Sequence, residues 1–323
     1  MNYPYTCVLI GLGNIGLYYD FHNPDVIYSH AKALVSHPSF DLLMAIDPSS
    51  EKRSDFTEKY NLPAYCSIED VPHQVNPQIA IIATPTFIHT FVLQSLLSRW
   101  NLISILCEKP LASSYRDAIS MVELCETNDT SLFVNYVRRC DPSTQEICDL
   151  LSKRTLSFPV KGYCYYCNGA FNTASHLLDL LACWFGKCSE ILLISEPIHL
   201  STNNDFDVDF IARFNQANIV FQHGQAEFYK YSYMEIYFSS GRLIYDDSAG
   251  NICFLPLASD YFAQQSDPLF NSKVTVIKNS MDYYQYNVLT HLDLALRALP
   301  HSLPTGRESL DTLRLLDISK SPG

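Results

Sequence analysis

Thr6-Cys-Val-Leu-Ile-Gly11-Leu-Gly13-Asn-Ile-Gly16 is the stretch on which the fold turns. Its first residues form a short, unbroken apolar run, the signature of a strand buried on both faces rather than one that alternates between core and water. Glycines then follow directly at the spacing G-x-G-x-x-G and open a segment that reads as helical. In that context the glycines serve, in turn, a tight turn, the close approach of backbone N–H groups to a pyrophosphate, and tight helix packing. A tight strand–helix turn without any ligand would use the same residues, so the motif alone leaves both readings open. Asp47, ending the apolar run Leu42-Leu-Met-Ala-Ile46, favours the dinucleotide, because a carboxylate there accepts hydrogen bonds from ribose hydroxyls. Gly16 to Asp47 exceeds the usual ~20 residues. The excess falls in the aromatic, proline-containing Leu17–Ser29, which reads as an insertion beside the cofactor or substrate cleft, with a helix resuming near His30. Asp47 favours NAD, since it repels a 2′-phosphate. Lys52 and Arg53, on what reads as a flexible loop, leave NADP open.

Outward from this stretch, strands and helices alternate. Tyr5–Gly11, Asp41–Asp47, Gln78–Thr84, Ile103–Glu108 and Ser131–Val137 read as strands, with helical periodicity at Thr86–Ser98 and Ser114–Glu126. That order predicts a doubly wound parallel sheet, an α/β Rossmann domain over residues 1–140. After Pro142 the character changes. A helix at Ser143–Lys153 precedes Tyr-, Phe-, Ile- and Val-rich runs, of which Phe206–Phe214, Asn218–Gln225, Glu227–Ser239 and Gly241–Tyr245 read as consecutive antiparallel strands. Helices at Tyr283–Leu299 and Arg307–Ile318 close the chain. Residues 141–323 are thus expected to form an α+β domain with a large, open, mostly antiparallel sheet, the C-terminal helix packing back on the first domain.

The 323 residues suit two domains, and a composition of 47% hydrophobic and 17% charged residues supplies ample core. The net charge of −12, without a Lys/Arg run, argues against nucleic acid and anionic membranes as partners. No stretch approaches the ~20 apolar residues that span a bilayer. The N-terminus lacks a basic region ahead of its apolar run, so a signal peptide is not expected. Eleven scattered cysteines fit reduced thiols and a cytoplasmic location. Cys164-x2-Cys167 and Cys183-x4-Cys188 loosely echo a zinc ribbon. However, the first pair lies in the strand-like Gly162–Asn168, where residues three apart point to opposite faces, so no metal site is expected.

Two further motifs carry chemistry. Cys107-Glu-Lys-Pro-Leu-Ala112 places Lys109 at the carboxyl edge of a strand, where ligands bind in open parallel sheets. A lysine there can hydrogen-bond a substrate oxygen and assist proton movement. By itself it reads equally as a surface lysine. In Asn172-Thr-Ala-Ser-His176-Leu-Leu-Asp179, offsets of four and three residues put Asn172, His176 and Asp179 on one helix face, provided the helix reaches back to Asn172. An amide and a carboxylate would then set the tautomer and basicity of His176. A capping cluster around Ser175 beside a core histidine explains the same residues.

Taken together and in this order, the motifs resemble the glucose–fructose oxidoreductase/inositol dehydrogenase/MocA (Gfo/Idh/MocA) family. The resemblance spans most of the chain: Gly11–Gly16, Asp47-Pro48, Ala83-Thr-Pro-x3-His89, Cys107–Ala112, Arg139-Cys-Asp-Pro142, Gly169–Gly186 and Leu303–Leu316. It implies NAD (or NADP) bound by Gly11, Gly13, Asn14, Ile15, Gly16, Asp47, Thr84, Pro85, His89, Glu108 and Lys109, with His89 near the nicotinamide. It implies catalysis by Lys109 at the reacting oxygen, His176 as acid/base and Asp179 beside it. Tyr136, Arg138, Asn172, His176 and Lys109 are the substrate-side candidates. The family commonly has Asp where this chain has Asn172, and an amide cannot take a proton, so Asp179 is the group left to polarise His176. The Asn-x-x-Ser-His form is similar to members acting on sugars or sugar nucleotides in surface-polysaccharide pathways. The expected activity is hydride transfer between nicotinamide and a sugar carbinol or carbonyl carbon, in a homo-oligomer built through the open sheet. If the substrate is a sugar nucleotide, its diphosphate needs cations, for which Arg138, Arg139, Lys161, Arg213 and Lys230 are the candidates. The competing readings are a dinucleotide-sensing binding protein without turnover and a reductase of a non-sugar carbonyl.

Overall fold

A computed structural model describes residues 4–153, 155–156, 158, 160–200, 205–225, 231–246, 250–257 and 274–318. The chain divides into two compact units. One runs to Cys140 and is completed by 282–310; the other holds 141–281 with the residues from 311 onward. The return of the chain to the first unit at Asp282 makes that unit larger than its contiguous sequence.

The first unit is a six-stranded parallel sheet: β1 (Tyr5–Ile10), β2 (Phe40–Ile46), β3 (Ala64–Tyr65), β4 (Ile79–Ile82), β5 (Ser104–Cys107) and β6 (Ser131–Val134), in the spatial order β3-β2-β1-β4-β5-β6. The order reverses between β1 and β4, and the crevice at such a switch point is where open α/β sheets bind ligands. The continuous apolar runs of β1, β4 and β5 are explained by burial on both faces: Cys7 to Leu9, Ile79 to Ile82 and Ile105 to Cys107 have no exposed surface. The α-helices that alternate with these strands are α1 (His30–Ser36), α2 (Ser50–Tyr60), α3 (His89–Arg99) and α4 (Tyr115–Thr127). Ser49 caps α2 through Lys52 N, and Asn61 ends it in the left-handed conformation. Lys52 and Arg53 therefore stand on a helix, not on the flexible loop that the sequence suggested; the helix has little apolar periodicity because only Phe56 is buried from it.

In the second unit, α5 (Pro142–Ser152), β7 (Val160–Tyr166) and α6 (Ser175–Phe185) precede β8 (Glu190–Leu193), a small hairpin of β9 (Ile198–His199) and β10 (Phe206–Asp207), then β11 (Phe210–Arg213), β12 (Ala217–His223), β13 (Ser232–Phe238), β14 (Gly241–Asp246), β15 (Asn251–Pro256) and β16 (Thr275–Lys278). Eight of these strands form one sheet, in the order β16-β15-β14-β13-β7-β12-β11-β8. The strands from 206 to 245 are not all consecutive neighbours, as expected from sequence. β7 inserts between β12 and β13, parallel to the former and antiparallel to the latter. Adjacent placement of consecutive strands is only a tendency, and the buried face of β7, Val160, Cys164 and Tyr166, belongs to the same core as α6. Residues 227–230 of the expected strand lie outside the described residues.

The core of this unit packs Leu177, Leu178, Leu181 and Trp184 of α6 against Cys164, Tyr166, Phe210, Phe221, Met234 and Ile236 of the sheet. Tyr163 and Tyr237 on alternate positions stay partly exposed, as the two-residue period of a strand requires. The helices α7 (Tyr284–Leu296) and α8 (Gly306–Ile318) end the described chain. Val288, Leu289 and Leu292 of α7 join Ala31 and Leu34 of α1 in the core of the first unit. Among the described residues no helix is long and apolar enough to cross a membrane.

Candidate active site

Gly11 adopts φ +99° and donates its N–H to Ile46 O at 2.8 Å; a Cβ there would lie 2.5 Å from Ala83 O. A Cβ on Gly16 would overlap the carbonyl of Gly11. Gly13 differs: an added Cβ would meet nothing within 4 Å. Two of the three glycines are therefore demanded by the protein's own packing, while the middle one borders open space, the place a pyrophosphate needs. The loop continues into a single π-turn, Asn14–Tyr18, rather than the α-helix expected, and α1 begins only at His30.

The insertion between them is tied down at several points. Buried Asp20 accepts hydrogen bonds from Tyr28 N (2.7 Å), Ser29 N (2.9 Å) and Ser29 Oγ (2.6 Å). Tyr18 donates its hydroxyl to Asp55 on α2 at 2.6 Å, and Lys32 Nζ donates to the carbonyls of Asn23, Pro24 and Val26. Lys59 lies over the Phe21 ring and bonds the Phe21 carbonyl. Ile27 N donates to Asp282 O, and Tyr28 stacks on Tyr284 with centroids 5.0 Å apart, so the insertion docks on the start of α7.

Asp47 directly follows β2 with 5% exposure; its Oδ2 accepts from Leu12 N at 2.8 Å and its Oδ1 from Ser49 N at 2.9 Å. The carboxylate thus braces the glycine loop and keeps further lone pairs for a ribose. Lys52 Nζ lies 3.7 Å from Asp47 Oδ2, whereas Arg53 Nη1 is occupied by the carbonyls of Asp47 and Pro48.

Two residues past β4, Thr84 carries a buried hydroxyl with no hydrogen-bond partner among the described residues, and Pro85 follows. His89 opens α3 with 0% exposure; its Nε2 lies 2.9 Å from Thr84 O and its Nδ1 3.1 Å from Leu111 O and 3.4 Å from Cys107 Sγ. Burial holds the imidazole below its ordinary pKa, against the opposing pull of those carbonyls and Glu108. The ring expected beside the nicotinamide is thus enclosed by protein between the Thr84 and Leu111 carbonyls, and as a neutral imidazole it has one N–H to donate to either. Cys107 stays a thiol, because burial drives its pKa well up.

Glu108 follows β5, its N–H donating to Ile82 O at 2.9 Å. Its Oε1 receives His30 Nε2 at 2.7 Å and Asn135 Nδ2 at 2.6 Å, and Asn135 Nδ2 lies 3.2 Å from Gln285 Oε1. Burial alone would raise the carboxyl pKa; the bonds from His30 and Asn135 and the charge of Lys109 outweigh it and hold the pKa below its ordinary value. Lys109 is half-buried and joined to Pro110 by a cis peptide. Tyr136 is buried, and Arg138 and Arg139 sit in the short 3-10 turn Val137–Cys140 after β6.

In the second unit, His176 and Asp179 lie on the first turn and a half of α6, Asp179 buried and His176 half-buried. Asn172 belongs to a preceding π-turn, Ala170–Ala174, so the expected α-helical offset holds for the His176–Asp179 pair and not for Asn172. Ser175 donates its hydroxyl to Phe171 O at 2.6 Å. Sequence reasoning missed what fixes this turn. Asp205 accepts from Phe171 N (3.0 Å), Asn172 N (2.9 Å) and Phe206 N (2.8 Å), and Asp207 accepts from Gly169 N at 3.0 Å. Gly169, at φ +96°, is required because a Cβ would collide with the Asp205 carboxylate. The signal available was the alternation Asp205-Phe-Asp207-Val-Asp209, with acidic residues at every second position between apolar ones.

Of the cation candidates, Arg213 pairs with Glu190 at 2.9 Å, Lys161 is exposed on β7, and Lys230 lies outside the described residues. Cys164 and Cys167 are both buried, and among the described residues no group of three His, Cys, Asp or Glu side chains is arranged to hold a metal ion.

A family model described as an oxidoreductase family with an NAD-binding Rossmann fold, that of Gfo/Idh/MocA, matches residues 5–136. None of the curated proteins matches the chain at a significant level. Solved structures match over nearly the whole length at low identity. An oxidoreductase from Agrobacterium radiobacter in complex with NAD+, L-tartaric acid and magnesium is 14% identical, with 97% of this chain and 94% of that chain covered and a TM-score of 0.71. The WlbA dehydrogenase from Bordetella pertussis, in complex with NADH and UDP-GlcNAcA, is 15% identical, covering 97% and 94%, with a TM-score of 0.69. A super-repressor mutant of Gal80p from Saccharomyces cerevisiae is 13% identical, covering 98% and 95%, with a TM-score of 0.77. At these identities the likeness shows the fold.

Proposed function

Since residues 5–136 belong to the Gfo/Idh/MocA family of NAD-binding oxidoreductases, we propose that this protein moves a hydride between NAD and a carbinol or carbonyl carbon of a sugar or sugar nucleotide. The observation that carries the cofactor half is the glycine loop, where of the three glycines only Gly13 faces open space while Asp47 braces the loop from the end of β2. Gly11–Gly16 would hold the pyrophosphate, Asp47 the adenosine ribose, and Thr84–Pro85 with Glu108–Lys109 the nicotinamide end. The orphaned Thr84 hydroxyl fits a polar ligand at that edge. Bound NAD supplies the hydride acceptor. A carboxylate braced at 47 favours NAD over NADP, with Lys52 too far from hydrogen-bonding geometry to cancel it.

On this reading Lys109 donates a hydrogen bond to the reacting oxygen, and His176 takes or returns its proton, polarised by Asp179. Tyr136, Arg138 and Asn172 contact the substrate. The sugar assignment is supported by the Asn-x-x-Ser-His arrangement and by the fold shared with WlbA, whose structure contains UDP-GlcNAcA. The shared fold with Gal80p keeps one alternative, a dinucleotide sensor without turnover; Lys109 and His176, both present, favour the enzyme. NADH formation from NAD and a panel of sugars and UDP-sugars tests the proposal. No turnover on any of them, with NADH bound tightly, would favour the sensor. The open face of the second sheet, with Tyr163 and Tyr237 exposed, is the surface we assign to self-association.

A further inference from the structure

Lys109 stands between two buried histidines that come from different helices. On one side, His30 of α1 reaches Glu108, the residue before it. On the other, His89 of α3 places Nδ1 3.1 Å from the carbonyl of Leu111, two residues after it, and Nε2 2.9 Å from the carbonyl of Thr84, so the neutral ring donates to one of them and packs against the other. We propose that His30 and His89 are positioning residues for Lys109, clamping the Glu108–Leu111 segment from both ends, with Asn135 and Gln285 completing the His30 clamp.

The chemistry supports a positional role over simple packing. An ionised carboxylate only accepts hydrogen bonds, so both His30 Nε2 and Asn135 Nδ2 must donate to Glu108 Oε1. Gln285, with no exposed surface, then fixes Asn135. Four polar side chains at the end of β5, where neighbouring positions are aliphatic and fully buried, are a costly way to fill space, because apolar groups of similar size would be as stable. Their return is geometric. A lysine side chain has several rotatable bonds, and its direction is defined only if its own backbone cannot shift. With Glu108 N bonded to Ile82 O, Glu108 Oε1 to two donors, and Leu111 O against His89, the short segment has anchors on both sides of Lys109. The position of His30 also depends on the insertion, since Asp20 caps the backbone at Ser29, immediately before it.

The charged and titratable groups around the clamps are Glu108 for His30, with Lys109 acting on that carboxylate and Tyr284, itself near Tyr19, Asp20 and Tyr28, beyond it, and Cys107 and Glu108 for His89. Among them, the negative charge nearest to Lys109 in sequence is Glu108. Loss of the His30 bond leaves that buried carboxylate with one donor fewer, which favours its protonated form and withdraws a charge that keeps Lys109 protonated. The inference rests on the reading of Lys109 as the residue at the reacting oxygen, but its test does not need a substrate. The full chain is treated with an amine-acylating reagent over roughly pH 6 to 10, and modification of Lys109 is followed by peptide mass spectrometry relative to exposed Lys153. His30→Leu and His89→Leu should raise the Lys109 rate about 5-fold near neutral pH, and His30→Leu should also move its onset to lower pH, as a lysine losing a nearby carboxylate does. His30→Gln, which keeps an N–H for Glu108, should stay within about 2-fold of the parent. If the leucine variants do not fold, His30→Asn, too short to reach Glu108, carries the same expectation as His30→Leu. An unchanged Lys109 rate and onset in variants that have lost the bond, whatever their melting temperature, would overturn the proposal. NADH titration of the same proteins is a separate arm: absence of binding in the parent would sink the cofactor reading and leave the labelling comparison standing.

Discussion

Gly13→Ala should abolish tight cofactor binding without unfolding anything. Gly13 has φ −77° and ψ −164°, a conformation open to any residue, and its Cβ would meet no atom within 4 Å. Alanine at such a position stabilises by about 0.4–1 kcal/mol through the unfolded chain. The same methyl would stand where the pyrophosphate approaches the backbone. Losing one or two charge-assisted N–H bonds there costs about 1.5–3 kcal/mol each, or roughly 10- to 100-fold or more in affinity. Gly16→Ala is the internal contrast. Its Cβ would overlap a backbone carbonyl that cannot rotate away, so the loop must move, costing about 1–3 kcal/mol of stability or more. Thermal melts and NADH fluorescence titrations of both variants read the two effects separately. The expected pattern is an unchanged or raised Tm with weak binding for Gly13→Ala, and a lowered Tm for Gly16→Ala. Parental NADH affinity in Gly13→Ala would refute the placement of the pyrophosphate over this loop.

Other expectations follow from the same geometry. Lys109→Ala and His176→Ala should each lower kcat by about 10²–10⁴, non-additively, with cofactor affinity nearly unchanged; full activity in the double variant would place the chemistry elsewhere. Asn172→Asp should move the pH–rate profile toward alkali, because an added carboxylate raises the pKa of His176; an unmoved profile would separate the two residues. Asp47→Asn, which removes the charge while keeping an oxygen for Leu12 N, should raise the NADPH/NADH affinity ratio by about tenfold, measured by competitive titration. Glu235 accepts from Tyr163, Tyr233, Tyr237 and Arg242. Burial acts to raise its pKa, but these donors prevail and depress it. A depressed carboxylate stabilises the fold above its unfolded pKa and loses that contribution as pH falls through the folded value. Glu235→Gln should therefore lower Tm near neutrality by an amount worth about 2 kcal/mol, with the gap closing in acid; equal gaps at both pH values would contradict the assignment.

The parts that depend on local chemistry were legible in the residues alone. Cys7–Ile10 could only be a two-sided strand, the glycines could only be a tight loop, and an acidic residue after Ile46 marked the end of the neighbouring strand, because apolar runs and missing Cβ atoms have few uses. The family resemblance rested on the same short motifs. Everything that requires residues distant in the chain to meet was settled by tertiary packing. α2 escaped notice because a surface helix with one buried residue carries almost no periodicity. β7 enters the sheet between β12 and β13, a choice made by a shared core and not by sequence order. The roles of Asp205 and Asp207 appear only when their hairpin reaches Gly169, some thirty-five residues away in the chain. His30 and Gln285 carried no motif at all; they acquire meaning because α1 and α7 fold onto the end of β5, where a buried carboxylate needs donors that its own segment cannot supply.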